Sequence, residues 1–137
     1  MRDELKKRCD AVEEAYEFML AYAAQGLTGT ERNQTGGQVR HLLTKAVEAL
    51  AGLEALVIEI METERLEPAE RYRSFAATLQ RDADNTSTIL QLVLSQTAIG
   101  SQLIDNVNAS IHVRTLLTDL FVIDEIFKSQ RSTAKSA

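Results

Sequence analysis

Few side chains in this chain could carry chemistry, and the two histidines and the single cysteine come first. A di-iron centre in a helical bundle needs a Glu-x-x-His step from each of two helices, together with further carboxylates. Gln38 lies three residues before His41, and Ala109 lies three residues before His112, so neither histidine completes that step. An ordinary zinc site cannot be built from two histidines and one cysteine without Asp or Glu. We therefore expect no metal and no other cofactor.

His41 is the side chain that suggests a signalling activity. A phosphotransfer domain needs an exposed histidine, a nearby cation and a small residue that leaves room for a docking partner. Lys45 and Ala46 give a loose version of this arrangement one turn further along the predicted helix. The pattern of phosphotransfer domains instead has Lys two or three residues after the histidine and then Gly. A surface histidine without a role is the favoured interpretation, and phosphotransfer through His41 and Lys45 is the alternative function.

A second candidate site is a polar stripe on the last predicted helix. Its members step by four, three, four, three and four residues, which places them on one helix face. They are Ser101, Asp105, Asn108, His112, Thr115 and Asp119. Such a stripe is normally the solvated side of an amphipathic helix, but Asn, His, Thr and Ser are poorer helix formers than Glu and Lys. We take the last five as candidate binding residues. No Ser–His–acid or paired-carboxylate pattern emerges, so we expect no catalytic site and no enzyme.

The elements that must position these side chains are helices, because the apolar residues recur every three or four positions. The first stripe is Leu5, Cys9, Val12, Tyr16, Met19 and Ala23. This places Cys9 in the core rather than at a reactive surface. The sequence predicts an all-α fold, an up-down four-helix bundle. The second helix carries two adjacent apolar stripes, and this width indicates a bundle completed by homodimerisation.

The breaks between the helices are marked by glycine and proline. We predict helices over 2–25, 38–65, from Pro68 to about Gly100, and from Ser101 to about residue 128. The alternative joins the last two into one rod through Gly100. Four of the six glycines lie in 26–37, which we interpret as a flexible connector. The bundle domain is then 1–128, followed by a flexible basic tail, 129–137.

Composition bounds the class of protein. A chain of 137 residues with 45% hydrophobic and 26% charged residues fits one globular domain. The net charge of −5 argues against a nucleic-acid partner, because phosphate backbones are bound by cationic side chains. Residues 1–8 lack the apolar stretch of a signal peptide, and no window approaches the ~18 apolar residues of a membrane span. We expect a cytoplasmic protein with no membrane partner.

The segment from Leu90 to Asn108 resembles the C-terminal helix of flagellar export chaperones of the FlgN type in its Leu, Asn and Gly placements. The resemblance covers about a fifth of the chain, and Gly100 stands where that family would have an Asn-Gly pair. It implies a small acidic helical protein whose late amphipathic helix binds a hook–filament protein.

Together these patterns predict a non-enzymatic protein-interaction module: a chaperone, adaptor or regulator that binds another protein and forms a homo-oligomer. A small-ligand pocket inside the bundle is a third hypothesis.

Overall fold

The computed structural model describes residues 1–31 and 34–136, with the side chains of 34–36 and 131–136 left out of the description. In that part the chain forms six α-helices and no strand. They are α1 (Arg2–Ala23), α2 (Gln34–Ala49), α3 (Leu53–Thr63), α4 (Ala69–Leu94), α5 (Ser101–Asn108) and α6 (Ile111–Ser136). The predicted all-α class is confirmed. The predicted basic tail falls mainly outside the described side chains and stays a prediction.

Two of the four predicted helices are interrupted, so the prediction of four continuous helices is wrong. The second is divided into α2 and α3 by residues 50–52, and the fourth is divided into α5 and α6 by residues 109–110. The single rod through Gly100 is also wrong, because α4 ends at Leu94 and Gly100 is the N-cap of α5. A glycine in extended backbone at an N-cap starts a new helix direction there.

The break between α2 and α3 is built by specific contacts. Gly52 has a φ of 68°, a left-handed conformation that favours glycine and turns the chain out of the helix. Arg8 of α1 donates a hydrogen bond to the carbonyl of Ala49 (3.2 Å), which caps the end of α2. The Gln80 side chain of α4 accepts one from the backbone N–H of Glu54 (3.0 Å), at the start of α3. The polar groups that a break exposes are thereby satisfied.

The helices pack in neighbouring pairs around one core. α1 contacts α2 and α5, α3 contacts α4, and α4 contacts α2 and α6. The core side chains are mostly Leu, Ile, Val and Ala, and Cys9 is buried among them as predicted. Between α1, α2, α4 and α6 lies a void of about 20 Å³, lined almost wholly by apolar side chains. That is space for a water-sized group and not for a small-molecule ligand.

The end of α1 and the first half of its connection to α2 form specific hydrogen bonds, and the flexibility of that connector stays a prediction. The Tyr22 hydroxyl donates to the carbonyl of Ile99 (2.6 Å), joining this region to the connection between α4 and α5. The Glu31 carboxylate accepts hydrogen bonds from the backbone N–H groups of Thr28 and Gly29, both 2.8 Å. These bonds, the one from Thr28 first, lower the pKa of Glu31 to about 2. Residues 32–33 of the predicted connector lie outside the described part.

Candidate functional site

α4 and α6 run antiparallel, and the line of contact between them is called the α4–α6 seam below. At one end the rings of Tyr72 and Phe127 stack with centroids 6.2 Å apart and planes at 7°. Towards the other end the Thr86 hydroxyl donates to the backbone carbonyl of His112 (3.0 Å). Thr86 is buried, so this bond fixes the register of α6 on α4 in an environment with little water.

Between these two contacts the seam brings two carboxyl groups together. The side chain of Asp82 on α4 lies within hydrogen-bonding reach of Asp119 on α6. Burial, then the hydrogen bond with Asp82 and its negative charge, together raise the pKa of Asp119 to about 7. The Oδ2 atom of Asp119 is buried with no hydrogen-bond partner among the described residues. Two negative charges placed this close are costly, so the protonated form of Asp119 is favoured in the folded protein.

Asp119 belongs to the predicted polar stripe, but Asp82 was not among the predicted candidates. The paired-carboxylate arrangement that the sequence analysis did not find is therefore present. It depends on the register between α4 and α6, which no local pattern encodes. The one sequence signal was an aspartate in a helix segment rich in residues that compete for backbone hydrogen bonds, and that signal names no partner.

The other members of the polar stripe are divided by the break between α5 and α6. His112 and Thr115 are exposed on α6. Asn108 is only 6% exposed, and its Nδ2 donates to the backbone carbonyl of Met19 (3.1 Å). Its Oδ1 is buried without a hydrogen-bond partner in the described part of the chain. Asn108 therefore joins α5 to α1, which is a structural role and not that of an exposed recognition residue.

Asp105 and Asn108 border a shallow groove where α1, α5 and the start of α6 meet. The groove encloses about 300 Å³, and its wall includes the exposed Leu20 and Arg114. The structure thus places two of the five predicted binding residues at one groove. His112 and Thr115 lie on the exposed side of α6, and Asp119 lies in the seam.

A second, more apolar groove follows the α4–α6 seam beyond the carboxyl pair. This α4–α6 groove encloses about 270 Å³. Its lining residues are Glu67, Pro68, Arg71, Tyr72, Phe75, Ile123, Ile126 and Gln130. Ile126, which lines the groove, is 38% exposed, and Val122, one turn before it on α6, is 41% exposed. This groove was not among the sites predicted from the sequence.

His41 and Lys45 are both exposed on α2, one turn apart. The neighbouring Arg40 is engaged elsewhere, because its guanidinium donates to the carbonyls of Leu94 (3.1 Å) and Gln96 (2.7 Å). These contacts cap the C-terminal end of α4 with a positive charge, which the helix dipole favours. Arg40, the cation directly before His41 in the sequence, therefore has a structural role.

Comparisons with protein-family models, with curated proteins and with solved structures found no match to this chain. Among the described residues, no three His, Cys, Asp or Glu side chains lie close enough to share a metal ion. No helix in residues 1–31 and 34–136 is both long and apolar enough to cross a membrane. The candidate site therefore rests on the geometry of α4 and α6.

Proposed function

We propose that this protein is a non-enzymatic protein-interaction module whose α4–α6 groove receives the apolar face of a helix from a partner protein. The observation that supports the proposal is the apolar surface of α6, where Val122 and Ile126 stand in solvent beside a groove walled by Tyr72, Phe75 and Ile123. Apolar side chains exposed as a contiguous group, rather than singly, are typical of interaction sites.

The shape of the groove favours a helical partner over an extended peptide. It lies between two antiparallel helices, where a third helix can lay an apolar stripe along the seam. An extended peptide that binds by strand addition would instead need a sheet edge to pair with. Glu67 and Arg71 at one end offer charges of both signs at the rim. Apolar floors with polar rims are the usual anatomy of a protein interface.

We place the protein in the cytoplasm and extend the proposal to its architecture. α2 with α3 and α5 with α6 act as two interrupted arms that complete an up-down four-helix bundle with α1 and α4. The second apolar stripe of the predicted second helix, proposed above as a dimer surface, packs mostly inside the chain: Val47 is partly buried, and the other members, Leu43, Leu50, Val57 and Met61, are buried. Homodimerisation would therefore use the α4–α6 groove, and a second copy of this chain is the competing occupant.

The exposed members of the polar stripe fit this proposal as a secondary contact. His112 and Thr115 lie on the solvent side of α6, the helix that also forms one wall of the groove. A partner helix that extended along the seam towards the N-terminus of α6 would reach them. Chaperone, adaptor and regulator are all roles that such a binding surface serves.

The test uses the full chain and the pair Val122→Glu and Ile126→Glu in one variant. Leu92→Glu is the matched control, since Leu92 is an apolar residue exposed at 66% on α4. A protein captured from the source cells is identified, purified and titrated against each variant by calorimetry. We expect the double variant to lose at least about tenfold in affinity, ~1.4 kcal/mol, and the control to bind as the wild type does.

Hydrogen exchange on the same purified complex locates the interface. Protection over 68–75 and 122–130 supports the groove. Protection confined to α1 and α5, or affinity retained by the double variant, overturns it. Sedimentation equilibrium of the wild type alone separates the two occupants, because a dimer that Val122→Glu with Ile126→Glu disrupts would assign the groove to a second copy.

A further inference from the structure

We propose that Asp82 and Asp119 form a proton-dependent clamp, in which one shared proton holds α6 against α4 and its loss loosens the seam at that level. The inference concerns contact within one chain and does not depend on the proposed partner, although the clamp lies in the seam that continues into the α4–α6 groove. It goes beyond a binding role because it makes the position of α6 respond to pH.

The geometry carries the proposal. The contacts of Thr86 with His112 and of Tyr72 with Phe127 set an antiparallel register that places Asp82 and Asp119 within about one turn of each other along the seam. At that level the Asp82 side chain lies close enough to hydrogen-bond with the Asp119 carboxyl, which needs a proton on one of the two groups. The buried Asp119 Oδ2 has no partner among the described residues, so no other donor compensates it there. When the proton leaves, two negative charges face each other inside the seam. The seam must then admit water, a cation or a shift of α6.

No cation in the described part of the chain offsets these charges. Asp82 is the one charged side chain that shifts the pKa of Asp119. On α4 the nearest charged side chains are Arg81 and Asp84, beside Asp82. On α6 they are Arg114 and Asp124, each about a turn and a half from Asp119. None of these four shifts the pKa of Asp119. The groups one turn away are uncharged: Thr78, Asn85 and Thr86 on α4, and Thr115 on α6.

The helices packed against α4 and α6 add no charged group that shifts the pKa of Asp119. α2 and α3 contact α4, and α1 and α5 contact α6, but no charge from any of them affects Asp119. His112 is the titratable group of α6 nearest the start of the seam. Its backbone carbonyl takes part in the seam, while its side chain is exposed. The clamp therefore depends on the two aspartates.

The sign of the pH effect follows from the direction of the shift. Burial and Asp82 raise the pKa of Asp119 from 3.8 to about 7 in the folded protein. Between these values the folded chain binds more protons than the unfolded chain, so stability falls as the pH rises through that window. The loss levels off about one pH unit above that folded-state value, where Asp119 is almost wholly ionised. The seam is thus tight in mild acid and loosest in mild alkali.

The experiment measures urea unfolding of the full chain between about pH 5 and about pH 8. All variants carry His41→Gln and His112→Gln, because imidazoles titrate in the same range. In the reference protein we expect the folding equilibrium constant to fall at least about tenfold over this range, the effect of one pKa unit. Asp119→Asn keeps a neutral donor for Asp82 and should make the curve flat. Asp105→Asn, at an exposed aspartate of α5, should leave the fall unchanged.

Two further measurements make the result decisive. Carboxyl carbon NMR of the unmodified protein should show one aspartate titrating near neutrality, a readout that needs no variant to fold. Amide exchange, corrected for its intrinsic pH dependence, should accelerate at residues 78–86 and 115–123 as the pH rises, and not within α1. The clamp is overturned if every aspartate titrates below about pH 5, or if Asp119→Asn retains the full pH dependence.

Discussion

Leu27 and Ser101 are hydrogen-bonded to each other twice, although they lie 74 residues apart. The Ser101 N–H donates to the Leu27 carbonyl, and the Leu27 N–H donates to the Ser101 hydroxyl oxygen, each at 2.8 Å. That hydroxyl in turn donates to the carbonyl of Tyr22 (2.7 Å). One buried side chain therefore joins the end of α1, the connection to α2 and the first turn of α5.

Ser101→Ala tests this junction. The change leaves the part-buried Leu27 N–H without its side-chain partner, and it removes one of two hydrogen bonds to the Tyr22 carbonyl, which still accepts from the Gln25 N–H (3.1 Å). We therefore expect a loss of about 1–3 kcal/mol in unfolding free energy. Ser74→Ala, at an exposed serine of α4, should change stability by less than about 0.5 kcal/mol. Urea denaturation of both variants measures the difference. Equal effects would show that the junction contributes nothing beyond an ordinary surface serine.

Gly29 and Gly26 offer a matched pair for a second prediction. Both have a positive φ, 88° and 67° respectively, so alanine at either position costs roughly 1–2 kcal/mol of backbone strain. A Cβ at Gly29 would also lie 2.6 Å from the backbone carbonyl carbon of Ile99, whereas a Cβ at Gly26 meets nothing within 4 Å. We expect Gly29→Ala to destabilise the protein clearly more than Gly26→Ala in thermal unfolding. A smaller effect at Gly29 would mean that the two connections are not in contact.

The helices and the core were predictable because their signal is local. An apolar residue every three or four positions indicates a helix, and the same residues become the buried face, as Leu53 and Val57 show. The breaks were harder to predict. Gly52 was the one local sign of the break between α2 and α3, and a single glycine inside an apolar helix pattern is usually tolerated. The contacts that stabilise that break come from Arg8 and Gln80, which are distant in sequence.

The candidate site was predictable only in part. The spacing that placed Asn108 and Asp119 on one stripe assumed an unbroken helix, and the break after Asn108 gave the two residues different environments. The carboxyl pair required the antiparallel register of α4 and α6, set by contacts such as that between Tyr72 and Phe127. Periodicity tells which face of a helix is apolar, but it does not tell which residues of two helices lie opposite each other.

Leu53→Ala should lower the free energy of unfolding by about 2–5 kcal/mol, because Leu53 is wholly buried in the core and its truncation leaves a cavity. Leu92→Ala is the control on a leucine that is 66% exposed, and it should cost less than about 0.5 kcal/mol. Chemical denaturation compares the two. A loss below about 1 kcal/mol at Leu53 would show that α3 frays from the core.

His41 provides the last prediction, which separates an interaction module from a phosphotransfer domain. We expect no labelling of the protein when it is incubated with a response regulator carrying radioactive phosphate. Lys45 lies four residues after the histidine, and Arg40, the other nearby cation, is bound to the carbonyls that end α4. Lys45 therefore departs from the spacing of a phosphotransfer site, and the guanidinium of Arg40 is already used to bind the end of α4.

The comparison uses the wild type, His41→Gln and, as a matched control, His112→Gln at the other exposed histidine. Circular dichroism of each variant should match that of the wild type, since an exposed side chain contributes little to folding. Absence of label in all three agrees with the prediction. Label that His41→Gln abolishes and His112→Gln retains would contradict it and make phosphotransfer the function. Label lost only with His112→Gln would move that activity to the start of α6, beside the seam that Asp82 and Asp119 control.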